Sequence, residues 1–164
     1  MARDLHLVIV DLASTKDTRE ILRSLNGCYP VARGERARAV QAYLGPINAG
    51  IVAQARSAME AGDAEAVGRL MTEAQRAFDA QVAPACPGEL AAPVLHRVLA
   101  SEALRPYALG GKGVGSQGDG AAQLVVRDAV SQGRVIEIVR ERLGMLGLGV
   151  TIPATGGGAA EARG

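Results

Sequence analysis

Aromatic side chains are nearly missing from this sequence: 164 residues include no tryptophan, one phenylalanine and three tyrosines. Any core must therefore be aliphatic, packed from Leu, Val, Ile, Ala and Met. Cysteine is equally scarce. Cys28 and Cys86 stand far apart, neither in a CxxC nor a Cys/His ligand spacing, so neither a disulfide framework nor a zinc site is expected. A reducing cytoplasm is the simplest compartment. No sign of charge dominates: 18 Lys+Arg face 17 Asp+Glu, a net charge of +1, which argues against a general nucleic-acid binder. No apolar run approaches the ~18 residues of a membrane span. Charges at Arg3, Asp4 and Asp11 around a very short apolar run do not fit a signal peptide. The expectation is a soluble chain with no membrane or nucleic-acid partner.

What the sequence does have is apolar content, 48% of residues, enough for a substantial core in one compact domain or two very small ones. Residues 5–10 form a nearly continuous apolar run and read as a buried strand ending at Asp11. Ser14, Thr15 and Asp17 offer helix N-caps, and Ile21, Leu22 and Leu25 give a helical stripe closed by Asn26 and Gly27. Helical spacing returns over residues 35–61, interrupted by Gly45-Pro46, which should kink or split the helix. Gly62 and Asp63 end one helix and cap the next, whose inner stripe is Val67, Leu70, Met71, Ala74 and Phe78. Pro84 and Pro87 break it, and residues 89–104 read as helical again from about Pro93.

Beyond Pro106, residues 110–120 hold six glycines in eleven positions, too many for any regular element. A strand over 121–127, a helix over 132–146 with Val135, Val139, Leu143 and Leu146 inward, and a last strand at 147–152 complete the order. This predicts an α+β domain over residues 1–153, a small antiparallel or mixed sheet with helices on one face. Residues 154–164, rich in Gly and Ala, read as a disordered tail.

The glycine segment is the informative one. Glycines let backbone N–H groups converge on an anion, and Lys112 adds a positive charge. It is not a Walker A loop, because no Gly-Lys-Ser/Thr closes it. Gly113, Gly115 and Gly118 satisfy GxGxxG, but a strand follows where a dinucleotide fold needs a helix. The bland alternative is a flexible hairpin connection. Lys112 either contacts a phosphate or an acidic substrate group, or is solvated. Ser116, with the N–H groups of Gly115 and Gly118, completes a phosphate cradle or merely a turn. Asp119 orients a metal or hydroxyl, or more simply caps or turns the chain. Lys16, Asp17 and Thr18 face a substrate, or Asp17 and Thr18 simply cap a helix. His96 on an amphipathic helix reads as structural, His6 has nothing to recommend it as a ligand, and both cysteines read as packed thiols.

In context the loop resembles the third motif of the GHMP small-molecule kinases, the family of galactokinase, homoserine kinase and mevalonate kinase. That motif runs roughly Gly-x-Lys-x-Thr-Gly-x-Gly-x-Gly-Gly into a strand. Here Gly110, Lys112, Gly115, Gly118 and Gly120 keep its frame, while Val114 replaces the usual Thr, and Gln117 and Asp119 replace usual glycines. Other segments agree in order. Ala61-Gly62-Asp63 and then Gly68-Arg69-Leu70-Met71 are similar to the helix carrying Gly-Asp and Gly-x-Leu-Met. Cys86-Pro87 through Leu95-His96 resembles the Ser-Pro-x-Leu-Asp segment, and residues 5–18 resemble the strand and Thr-bearing turn. The family's Gly-Leu-Gly-Ser-Ser-Ala loop and its catalytic Asp segment are not present.

The resemblance thus implies the C-terminal half of such a kinase, with transfer of the ATP γ-phosphate, assisted by Mg²⁺, to a sugar or mevalonate-like hydroxyl. It places Lys112, Gly113, Gly115, Ser116, Gln117, Gly118, Asp119 and Gly120 at substrate and phosphate, with Lys16 and Thr18 nearby. No catalytic residue and no metal ligand is assigned. The chain alone would not turn over, its partner being a missing N-terminal half. The alternative is a free-standing, non-catalytic module that binds a small anionic ligand or a partner protein. Two structural expectations follow. A missing half should leave an apolar face uncovered on or beside residues 5–10. The loop's N–H groups should line a concavity shared with residues 16–18.

Overall fold

The computed structural model describes residues 3–154; the tail expected at 154–164 lies, but for Ala154, outside them. The apolar run at the start forms β1 (Leu5–Asp11). Asp17 then caps α1 (Thr18–Asn26), its carboxylate accepting the N–H groups of Arg19 and Glu20 at 2.9 and 3.1 Å. The second helical region begins with α2 (Gly34–Ala42). Gly45 leaves helical geometry at φ −103°, ψ −109°, and the turn Tyr43–Ile47 leads into α3 (Asn48–Ala61), so the Gly-Pro pair splits the helix as expected. Gly62 closes α3 in the left-handed region, and Asp63 caps α4 (Ala64–Gln81) through the N–H of Ala66.

The helix expected from about Pro93 is present but ends at Leu99 rather than Leu104. Two short helices, α5 (Pro87–Leu90) and α6 (Pro93–Leu99), are separated at Ala92, whose φ is +45°. The second half of the chain supplies β2 (Ala108–Gly113), β3 (Ala121–Val126), α7 (Ala129–Leu143) and β4 (Leu146–Ile152). Leu146 therefore does not sit inward on a helix; Gly144, at φ +65°, ends α7 before it.

The four strands make one sheet in the order β2-β3-β1-β4, antiparallel throughout. Helices cover both faces, not one. On one face Val8 and Val10 of β1, with Leu124 and Val126 of β3, pack against Leu95 and Val98 of α6 and Val135, Ile138 and Val139 of α7. On the other face Leu5, Leu7 and Val125 meet Ala58 of α3 and Val67 of α4. A strand rich in branched apolar residues on both sides requires two covering layers, so β1's own composition held the correct answer. A third cluster, Ile21, Tyr43, Phe78, Val82 and Leu90, joins α1 to α4. Its Tyr43 and Phe78 rings stand edge to face, with centroids 5.6 Å apart.

Half of the glycine segment is regular structure after all. β2 can be glycine-rich because α4 crosses it backbone to backbone: a Cβ on Gly110 would lie 2.0 Å from the Gly68 carbonyl oxygen. Larger residues are excluded there by contact, and the strand's lost propensity is offset by burial under the helix. β1 is covered on both faces by this chain. Its neighbour β4 is not: Leu146, Leu148, Val150 and Ile152 form an exposed apolar row.

Candidate functional site

The glycine loop is the connection between β2 and β3, two paired strands. Gly115 and Gly118 adopt positive φ (+65° and +72°), and so does Gln117, at +65°. The loop's partner is the segment between β1 and α1. Lys16 runs across Gly118 and Gly120 into the loop, so closely that a Cβ on Gly120 would lie 2.8 Å from its Cε. Its ammonium donates to the carbonyl oxygen of Gln117 at 2.5 Å and, more distantly, to that of Val114 at 3.4 Å. Thr18 Oγ1 lies 3.3 Å from Ser116 Oγ. The loop and residues 16–18 thus meet in direct contact, with the polarity opposite to that expected: carbonyls face Lys16, and the positive charge is the lysine's.

Lys112 stands next to that arrangement, its ammonium donating to the Gly113 carbonyl at 2.7 Å. Burial pushes both Lys16 and Lys112 below the ordinary lysine value of 10.5. Among the described residues neither forms an ion pair. Two half-buried cations with only carbonyl partners are under-compensated, because a carbonyl dipole replaces less than the water it displaces. An anion beside them would offset that penalty.

Lys112, Ser116 and Gln117 form one wall of a cleft of about 430 Å³. Ile21, Leu25, Tyr43 and Phe78 line the apolar side, and Asn26 and Asn48 add amides. The structure thus brings Lys16, Thr18, Lys112, Gly113, Gly115, Ser116, Gln117, Gly118 and Gly120 to one place. Asp119 is engaged elsewhere. Its Oδ1 accepts the N–H of Leu95 at 2.8 Å, anchoring the start of α6 to the loop. Asp17 and Glu89 are likewise occupied, Asp17 by the N–H groups at the start of α1 and Glu89 by the N–H of Asp17 at 2.7 Å. His96 lies away from the loop, 3.6 Å from Asp79. Cys28 and Cys86 are buried free thiols.

Sequence reasoning missed the apolar wall and one polar residue, Gln75, which is 5% exposed and accepts the N–H of Gly113 at 2.7 Å. The signal existed. Position 75 follows Met71 by four and precedes Phe78 by three, so a glutamine there interrupts the apolar stripe of α4.

No family model matches the chain, and no curated protein does. Solved structures do match its fold. Mevalonate kinase of L. major, in complex with R-mevalonate, aligns with a TM-score of 0.64 at 19% identity, over 94% of this chain and 44% of that one. Lactococcus lactis galactokinase, complexed with galactose, gives 0.59 and 14% over 93% and 46%. Phosphomevalonate kinase of Streptococcus pneumoniae gives 0.62 and 12% over 92% and 41%. All are GHMP kinases, so the fold is the one that the motifs implied. This chain spans less than half the length of each, which is consistent with a resemblance to the C-terminal half only.

Proposed function

We propose that the protein is the C-terminal, phosphate-facing part of an ATP-dependent small-molecule kinase that phosphorylates a sugar or mevalonate-like hydroxyl and does not turn over by itself. One observation carries this reading: Lys16 and Lys112 place two partly desolvated ammoniums without carboxylate partners on one glycine hairpin, which borders a cleft lined by Lys112, Ser116 and Gln117. Phosphoryl transfer depends chiefly on positioning and on neutralising the charge of phosphate oxygens. In this scheme MgATP supplies the phosphoryl group. Lys112, Ser116 and Thr18 hold its oxygens, Lys16 keeps the loop in shape, and the apolar wall with Asn26 and Asn48 receives the alcohol.

The carboxylates nearest the loop do not fit a magnesium set. Asp17, Glu89 and Asp119 each accept backbone N–H groups, and no cluster of three His, Cys, Asp or Glu side chains occurs among the described residues. The metal's ligands then fall to the nucleotide and to the other half.

Titration of the purified chain with pyrophosphate, followed by amide NMR, tests the reading. Shifts should be confined to residues 16–18 and 112–118, and in Lys112→Ala they should need about tenfold more pyrophosphate. Shifts elsewhere, or none, would sink it. Robust phosphorylation of galactose or mevalonate by the chain alone, abolished by a loop mutation, would overturn its dependence on a second half.

The coverage of both faces of β1 favours a second reading, a free-standing module that binds an anion or a partner protein. An upstream coding segment with a Gly-Leu-Gly-Ser-Ser loop would favour the kinase half; its absence would favour the module.

A further inference from the structure

Gly113 is the last residue of β2, on the sheet's open side, where a backbone N–H has no neighbouring strand to bind. α4 supplies the acceptors instead: Thr72 Oγ1 for Gly111 at 3.4 Å and Gln75 Oε1 for Gly113 at 2.7 Å. The second contact is the better bond, and it falls at the junction where strand becomes loop, one residue after Lys112. The Gly113 carbonyl in turn receives the Lys112 ammonium. Gly113 is thus held at its N–H by Gln75 and at its C=O by Lys112. The Gln117 side chain lies over its Cα, close enough that a Cβ there would come within 2.3 Å of Gln117 Oε1.

An amide side chain can present either end, and an inverted Gln75 would set an NH₂ against the Gly113 N–H. Asp79 prevents this. Its Oδ1 only accepts, and it takes the Gln75 amide N–H at 2.8 Å, which turns the carbonyl toward Gly113. We propose that Gln75, oriented by Asp79, is a positioning residue for the loop, setting the direction of Gly113 and with it the Lys112 ammonium and the turn that follows. The anion-binding consequence rests on the reading given under Proposed function; the effect on the loop itself does not.

The test uses the full 164-residue chain, with Gln75→Leu, Gln75→Glu and the double variant Gln75→Glu/Asp79→Asn. The double variant exchanges donor and acceptor between positions 75 and 79 while keeping an acceptor for Gly113. Amide hydrogen exchange of residues 113–118 and pyrophosphate affinity are measured in parallel. Gln75→Leu should speed exchange there by about tenfold, the size of one lost buried hydrogen bond, and weaken pyrophosphate binding by a similar factor. Gln75→Glu alone sets two carboxylates against each other and should do likewise. The double variant should restore both readouts to within about twofold, a rescue that a purely packing role would not give. Should Gln75→Leu fail to fold, the other two variants decide. Unchanged loop exchange, or acceleration spread evenly over α4 and the sheet, would overturn the proposal. Loop loosening in a protein whose wild type binds no pyrophosphate would support the positioning role and defeat only the anion reading.

Discussion

The two edges of this sheet are finished in opposite ways. At β2 the strand is glycine-rich and a helix lies against it backbone to backbone, Thr72 and Gln75 giving its free N–H groups acceptors. At β4 the strand shows a bare apolar row, with Leu146 and Leu148 at 72% and 62% exposure. On the α7 side it is covered at Gly147 by Ile136 and at Gly149 by Gln132, whose amide donates to the Leu7 and Val150 carbonyls. Side-chain hydrogen bonds occur at both edges, but at β2 they hold the strand's outward N–H groups where it continues into the site. The difference teaches where precision was selected: β2 must hold a loop in one shape, while β4 only has to pair with β1.

Breaking the β2 edge should have the largest effect. Gly110→Val drives a side chain into the α4 backbone and should cost about 3 kcal/mol or more, whereas Gly149→Ala on β4 meets only the end of the Gln132 side chain at 3.1 Å and should stay within about 1 kcal/mol. Urea denaturation of both variants would expose equal costs if the comparison is wrong.

Next come the lysines. Lys112→Ala should lower pyrophosphate affinity about tenfold, as befits loss of a charge-assisted contact, without lowering Tm, because an under-compensated buried charge leaves with it. A large fall in Tm would show the ammonium to be structural.

The same residues fix a pH dependence. Burial lowers both lysine pKa values in the folded state, so the unfolded chain binds more protons between the lowered value and the ordinary 10.5. Stability should therefore rise with pH in that window, while anion affinity falls as the ammoniums lose their protons. Calorimetry at increasing pH would refute this if affinity held constant up to the ordinary lysine range.

The smallest effect belongs to the open edge. Leu148→Lys should change stability by no more than about 0.5 kcal/mol and reduce any self-association seen by light scattering. A cost well above that would mean that something covers the row in solution.

Much of this was legible in the sequence, and for local reasons. Asp17 and Asp63 cap the helices that their positions announced, Gly45-Pro46 split a helix, and the β1 run is a strand. What failed were judgements that need a neighbour. Glycines 110, 111 and 113 look like loop because propensity is a local quantity, while their place in a strand is decided by α4 passing overhead. Leu146 continues the helical period of α7, yet Gly144 ends the helix two residues earlier. At the site, the sequence could gather Lys16, Thr18 and Lys112 only through the family resemblance. It did not reveal that the loop turns its carbonyls to Lys16, or that Asp119 is used to anchor α6. Gln75 was readable as a polar break in an apolar stripe, but its partner lies 38 positions away.

The strand order has a consequence for how the protein comes to be made. Among the described residues β1 is the first strand, yet it sits centrally between β3 and β4, both of which lie beyond residue 120. While a ribosome is still decoding α4, the apolar strand has emerged with neither of its partners, and the contact of Lys16 with Gln117, 101 positions apart, cannot yet exist. Long-range closure of this kind slows folding and lengthens the time an apolar strand stays open to other chains. Nascent chains arrested so that only residues 1–119 have emerged should leave the Leu7 and Val8 amides unprotected against exchange. Protection should appear in one step once β4 clears the exit tunnel, and the glycine loop should take its shape in that same late event.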